Sequence, residues 1–89
     1  MTAGIKIRIK YLTALRDRTG RREEEVSFPP GATLQDVATW LRERHGLSLP
    51  DPQIMATLNG RGWEQFPLKF ATPLEDGDEI FLFSPIAGG

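Results

Sequence analysis

Between residues 34 and 45 lies the one stretch of this chain patterned as an amphipathic helix, with strand-like patterning on both sides of it. Leu34, Val37, Ala38 and Leu41 recur at spacings of three and four, which places them on one helical face. Thr33 with Asp36 three residues on is a variant capping box at the start. Arg42 and Arg44 suit the negative end of the helix dipole, and Gly46 is the stop signal. A single helix of this length cannot cover both faces of a sheet. The sequence therefore demands a sheet wrapped on one helix, with the opposite face left open for a partner.

The flanking segments supply that sheet. Ile5, Ile7, Ile9 and Tyr11 alternate with Lys6, Arg8 and Lys10, the period of a half-buried strand. Leu12 falls in the polar phase and points away from the helix. Residues 12–18 form a helical turn that Gly20 ends, and Arg21 to Phe28 reads as a second strand. Pro29-Pro30-Gly31 is a hard break. Ile54, Ala56 and Leu58 give a third strand, closed by the turn dipeptide Asn59-Gly60. Phe66 to Phe70 is expected as a short edge strand, where Pro67 is tolerated. An acidic turn around Gly77 leads into the last strand, Glu79 to Ser84. Ile80 and Leu82 share one face of it, Phe81 and Phe83 the other. This order predicts an α+β fold, a mixed four- to five-stranded sheet packed on one main helix. The first and last strands, the most apolar, are expected side by side in the middle.

With 89 residues the chain is expected to be one domain, 1–89, with a compact core. It has no cysteine, which excludes disulfides, thiolate metal sites, iron–sulfur clusters and a cysteine nucleophile. His45 alone cannot make a multi-histidine metal site, so no metal site is expected. No apolar run is long enough to span a bilayer and no signal-peptide core follows Met1, so a cytoplasmic protein is expected. The net charge of −1 hides an asymmetry. Lys6, Arg8, Lys10, Arg16, Arg18, Arg21 and Arg22 face only Asp17 in the first 22 residues. Asp51, Glu64, Glu75, Asp76, Asp78 and Glu79 face only Arg61 and Lys69 from residue 51 onward. Either the two ends neutralise each other as neighbours, or the chain docks as a polar molecule. A nucleic-acid binder of this size would show a basic excess, so that class is set aside.

The end of the sequence is unusual. An aromatic strand runs directly into Ser84-Pro85-Ile86-Ala87-Gly88-Gly89. Two glycines without Cβ make the thinnest possible peptide, able to thread a narrow channel in any backbone conformation. Pro85 stiffens the stem. A flexible tail over about 85–89 is expected.

Together these pieces carry a resemblance over essentially the whole chain. They are Leu15-Arg16-Asp17 before Gly20, Gly31-Ala32-Thr33-Leu34 opening the helix, Asn59-Gly60, Pro73-Leu74-Glu75-Asp76-Gly77-Asp78-Glu79-Ile80, and the tail. The chain resembles the MoaD/ThiS family of β-grasp (ubiquitin-like) sulfur carriers, most of all the branch that serves as molybdopterin synthase small subunit. It departs from that branch at Ser84, where a second proline is common, and in a longer Gly60–Phe70 segment.

The resemblance implies a specific chemistry. A ubiquitin-activating-type (MoeB-like) adenylyltransferase uses ATP to adenylate the Gly89 carboxylate, and sulfur then replaces AMP to give a thiocarboxylate. The tail, Gly88 included, inserts into a MoaE-like large subunit and supplies sulfur for the dithiolene of molybdopterin (molybdenum cofactor). The carrier itself binds no cofactor and is a non-catalytic subunit. The partner interface implied lies on the sheet face opposite the helix, at Phe83, Leu12 and, more weakly, Phe81, and continues along Pro85 and Ile86. Exposed aromatics near a functional tail mark binding patches. Trp63 either extends that patch or pins its loop to the core. Trp40 is expected in partial core, His45 exposed at the helix end, and the acidic turn mainly structural. Three alternatives stay open: a carrier for another sulfur product such as thiamine, cysteine or thiolated tRNA; a ubiquitin-like protein modifier; and a purely structural module.

Overall fold

The computed structural model describes residues 4–85. The elements run β1 (Ile5–Tyr11), α1 (Ala14–Thr19), β2 (Glu23–Phe28), α2 (Leu34–His45), β3 (Met55–Leu58), β4 (Arg61–Gly62) and β5 (Glu79–Phe83). Two 3-10 turns, Trp63–Gln65 and Lys69–Ala71, lie between β4 and β5. The sheet order is β2-β1-β5-β3-β4. β1 and β5 are parallel and central, and the other pairs are antiparallel. This is the mixed five-stranded sheet on one main helix that the sequence demands, a β-grasp.

The register explains the core. Ile9 lies beside Ile80 and Tyr11 beside Leu82, so the apolar phases of both central strands face the same way. All four are fully buried, as is Ile7. Leu34, Val37, Ala38 and Leu41 of α2 close over them. Burying such a side chain stabilises by roughly 1.5–3 kcal/mol. The start of α2 is capped as expected: the Thr33 backbone N–H donates to Asp36 Oδ2 at 2.8 Å. At its end Gly46 takes a left-handed φ of 70° and donates to the Arg42 carbonyl at 3.0 Å.

Two motifs prove to be halves of one joint. The Asn59 side chain donates to Asp78 Oδ1 at 3.0 Å and accepts from the Glu79 N–H at 2.9 Å. Asp78 Oδ2 accepts from the Glu75 N–H at 2.8 Å, and Asp76 Oδ1 from the Lys6 N–H at 2.8 Å. The turn carboxylates thus tie the 75–79 turn to the β3–β4 hairpin and to the start of β1. The charge asymmetry is met in part within the sheet. Glu79 lies 3.8 Å from both Arg8 and Lys10, and Glu25 lies 3.9 Å from Arg8. Such exposed pairs each contribute only about 0–1 kcal/mol.

Two expectations need correction. Phe66 to Phe70 is not a strand. The Asn59-Gly60 turn, with φ of 52° and 88°, starts the fourth strand at once at Arg61, and the chain leaves the sheet at Trp63. Pro67, without an N–H, could not extend a ladder. His45 is not exposed: its side chain is only 9% accessible, with Nε2 2.7 Å from Glu24 Oε2. The Tyr11 hydroxyl donates to the same oxygen at 2.7 Å. The imidazole sits edge-on to both Tyr11 and Trp40. His45 is four residues beyond Leu41, so it falls on the buried stripe.

Burial opposes ionisation of Glu24, but hydrogen bonds from His45 and Tyr11 outweigh it and hold the carboxyl below its usual 4.5. Burial, and then the hydrogen bond to Glu24, push the Tyr11 hydroxyl far up. Because the folded value for Glu24 lies below the unfolded one, its stabilisation is complete above about pH 4.5 and is lost as pH falls through the folded value. Glu24→Gln is expected to remove that part of the acid slope. Urea midpoints measured from neutral pH downward check it: an unchanged slope would contradict the assignment.

Candidate functional site

The candidate site is the open face of the sheet and the rim where β5 ends. Period two along β5 turns Ile80 and Leu82 inward and Phe81 and Phe83 outward, where both are half-buried. The parallel register sets Lys10 beside Phe81, and the next pair in that register is Leu12 beside Phe83. The Leu12 N–H donates to the Leu82 carbonyl at 2.9 Å, which fixes that placement. On the other side β3 sets Met55 opposite Phe83 and Thr57 opposite Phe81. Leu12, Phe83 and Met55 therefore form an apolar group on one face. The Lys10 ammonium lies 5.3 Å from the centre of the Phe81 ring.

Met55, 41% exposed, is the member that sequence reasoning missed. Its signal was present: it stands out of phase with Ile54, Ala56 and Leu58. Trp63 is corrected in the other direction. Its ring is only 3% exposed and packs edge-on against Phe70, so it pins its loop to the core and adds nothing to the open face.

At the rim, the Ser84 N–H donates to Thr13 Oγ1 at 3.2 Å. Thr13 is held at φ 53°, a conformation rare for a β-branched residue. This contact ties the last residue before Pro85 to the start of α1. Pro85 is exposed. Ile86, Gly88 and Gly89 lie outside the described residues. Among the described residues no cluster of three or more His, Asp or Glu is placed to hold a metal ion, and no helix is long and apolar enough to cross a membrane. The arrangement suits docking: an apolar face, framed by paired charges, from whose rim β5 delivers the chain to Ser84 and Pro85.

Comparison with known proteins agrees with this geometry. The ThiS family model matches residues 9–89. The chain is 31% identical over 85 residues to the molybdopterin synthase sulfur carrier subunit of Escherichia coli (strain K12), covering 93% of this chain and 99% of that one. A solved structure of a putative molybdopterin converting factor subunit 1 from Pyrococcus furiosus superposes with a TM-score of 0.75 at 26% identity, covering 92% of this chain and 99% of that one. The same fold occurs in the complex of subunits 1 and 2 of molybdopterin-converting factor from Helicobacter pylori 26695, with a TM-score of 0.65 at 21% identity, over 96% of this chain and 100% of that one. Five strands on one helix, a family-model match over residues 9–89 and an end-to-end match to a curated relative lead to one conclusion: the chain belongs to the ThiS/MoaD family, as a sulfur carrier of the MoaD type.

Proposed function

We propose that this chain is the small, non-catalytic subunit of a molybdopterin synthase and that it carries sulfur as a thiocarboxylate on Gly89. The observation that carries the reading is the end-to-end match to the E. coli sulfur carrier subunit. The chemistry follows from the carboxylate, which is a poor electrophile until it gains a leaving group. Its oxygen attacks the α-phosphorus of ATP on a MoeB-like adenylyltransferase, and pyrophosphate leaves. Sulfur at the sulfide level adds to the acyl carbon, and AMP leaves. The resulting thiocarboxylate is a soft nucleophile that donates sulfur to a pterin precursor on a MoaE-like large subunit. ATP is the activating enzyme's substrate, and the acids and bases belong to the partners. Leu12, Phe81, Phe83 and Met55 dock the large subunit; the Helicobacter protein of the same fold is solved in complex with its subunit 2. Pro85, Ile86 and Gly88 lead the terminus into it.

The test is the intact mass of the chain after incubation with its activating enzyme, ATP and a sulfur source. The expected gain is that of one oxygen exchanged for sulfur. Oxidation of Met1 or Met55 adds almost the same mass, so fragmentation must place the gain on Gly89. A mass gain confined to the methionines would count against the reading. A ladder of lysine conjugates would indicate a protein modifier instead.

A further inference from the structure

A cleft of about 560 Å³ opens at the outer edge of the sheet, walled by Pro50, Ile54, Met55, Gly62, Trp63 and Phe70. It is mostly apolar, yet Trp63 brings one unpaired polar atom to its wall. The Asn59 N–H donates across to the Glu79 carbonyl, so at Asn59 the backbone faces β5. Backbone groups alternate along a strand, so Leu58 and Ala56 face the outer edge. Leu58 is paired there with Arg61, but β4 ends at Gly62 and the chain turns away at Trp63. In the same register Trp63 stands opposite Ala56, and the pairing ends there. Among the described residues the Trp63 indole Nε1 has no hydrogen-bond partner, although the residue is 97% buried. Buried polar groups of this kind are normally satisfied. An apolar cleft with a few unpaired polar groups is the usual form of a recognition site.

Two observations indicate the occupant. Met55 lines the cleft and also stands opposite Phe83 on the open face, so the cleft continues the docking face around the sheet edge. Asp51 and Glu64 line it as well and make it acidic. We propose that the cleft takes a short extended segment of the same large subunit that docks on the open face. That segment has an apolar side chain flanked by Lys or Arg. One of its carbonyls accepts from Trp63 Nε1. The inference rests on the docking reading above and specifies a second, separable contact.

Gly62 provides the test. Its φ of −59° is ordinary, and a Cβ there would meet only the flexible Gln65 side chain, at 3.7 Å. Gly62→Leu therefore sets a side chain where the cleft meets the open face without straining the backbone, and the Trp63 resonance, which reports the cleft alone, separates the two. Titration with the cognate large subunit is followed by calorimetry and by the ¹H–¹⁵N indole resonance of Trp63, assigned with Trp40→Phe. The expected results are a shift of the Trp63 resonance in the otherwise wild-type chain and at least about tenfold weaker association for Gly62→Leu. Wild-type affinity in Gly62→Leu with an unmoved Trp63 resonance overturns the cleft inference. If Phe83→Asp abolishes association in the same series, the docking reading survives that result. Failure of the unsubstituted chain to bind the large subunit overturns both. The resonance shift needs no plugged variant, so misfolding of Gly62→Leu could not hide the answer.

Discussion

A chain shortened by Gly88 and Gly89 is expected to fold as the full chain does and to carry no sulfur. The buried core runs from Ile7 to Leu82, and the rim contact ends at Ser84, so the deletion removes none of these contacts. Its effect on stability should stay within about 0.5 kcal/mol, the range of changes remote from a core. Its effect on function should be complete. The reacting carboxylate would move to Ala87, two residues nearer the folded body and behind a side chain that glycine lacks. Thermal melts and intact mass after activation measure the two effects separately. Persistent sulfur loading of the shortened chain would overturn the assignment of Gly89. A large loss of melting temperature would instead show that the tail belongs to the folded structure.

Phe83→Asp is expected to weaken association with the large subunit by at least about 100-fold, the scale of an interfacial hot spot. Phe83 has Leu12 on one side and Met55 on the other, so a carboxylate there would be desolvated among apolar groups with no partner. The fold should survive. The side chain is half-buried on the face away from α2, while Ile80 and Leu82 hold β5 to the core. Calorimetric titration measures the affinity, and amide dispersion verifies the fold. Wild-type affinity in the variant would remove the open face from the interface.

What could be read from the sequence was local. Thr33, the three-and-four spacing of Leu34 to Leu41, and Gly46 set the bounds of α2, and the structure places it at Leu34–His45. Alternation alone placed β1 and β5 and turned Phe81 and Phe83 outward. What could not be read depends on contacts between distant residues. Whether Trp63 faces solvent or core is decided by the Phe70 ring it meets. The His45 environment needs Glu24 from a different strand, 21 positions away. The joint between Asn59 and Asp78 spans 19 positions, so two motifs read separately serve one corner of the fold. Met55 was passed over because its importance comes from β5 alongside it, not from its neighbours in sequence. The proposed loading of the tail rests on composition and resemblance: a chain without cysteine has no thiol to hold a persulfide, and Ile86 to Gly89 lie outside the described residues.

The central position of β5 has a mechanical consequence. The strand is held along both edges, by β1 and by β3, and it runs directly into Ser84 and Pro85. Traction on the C-terminus therefore acts along the strand axis. The hydrogen bonds to β1 and β3 lie across that axis, so they share the load together instead of opening one after another. Under such traction the folded body is expected to hold together. The same geometry makes this end a poor handle for any machine that unfolds proteins by pulling.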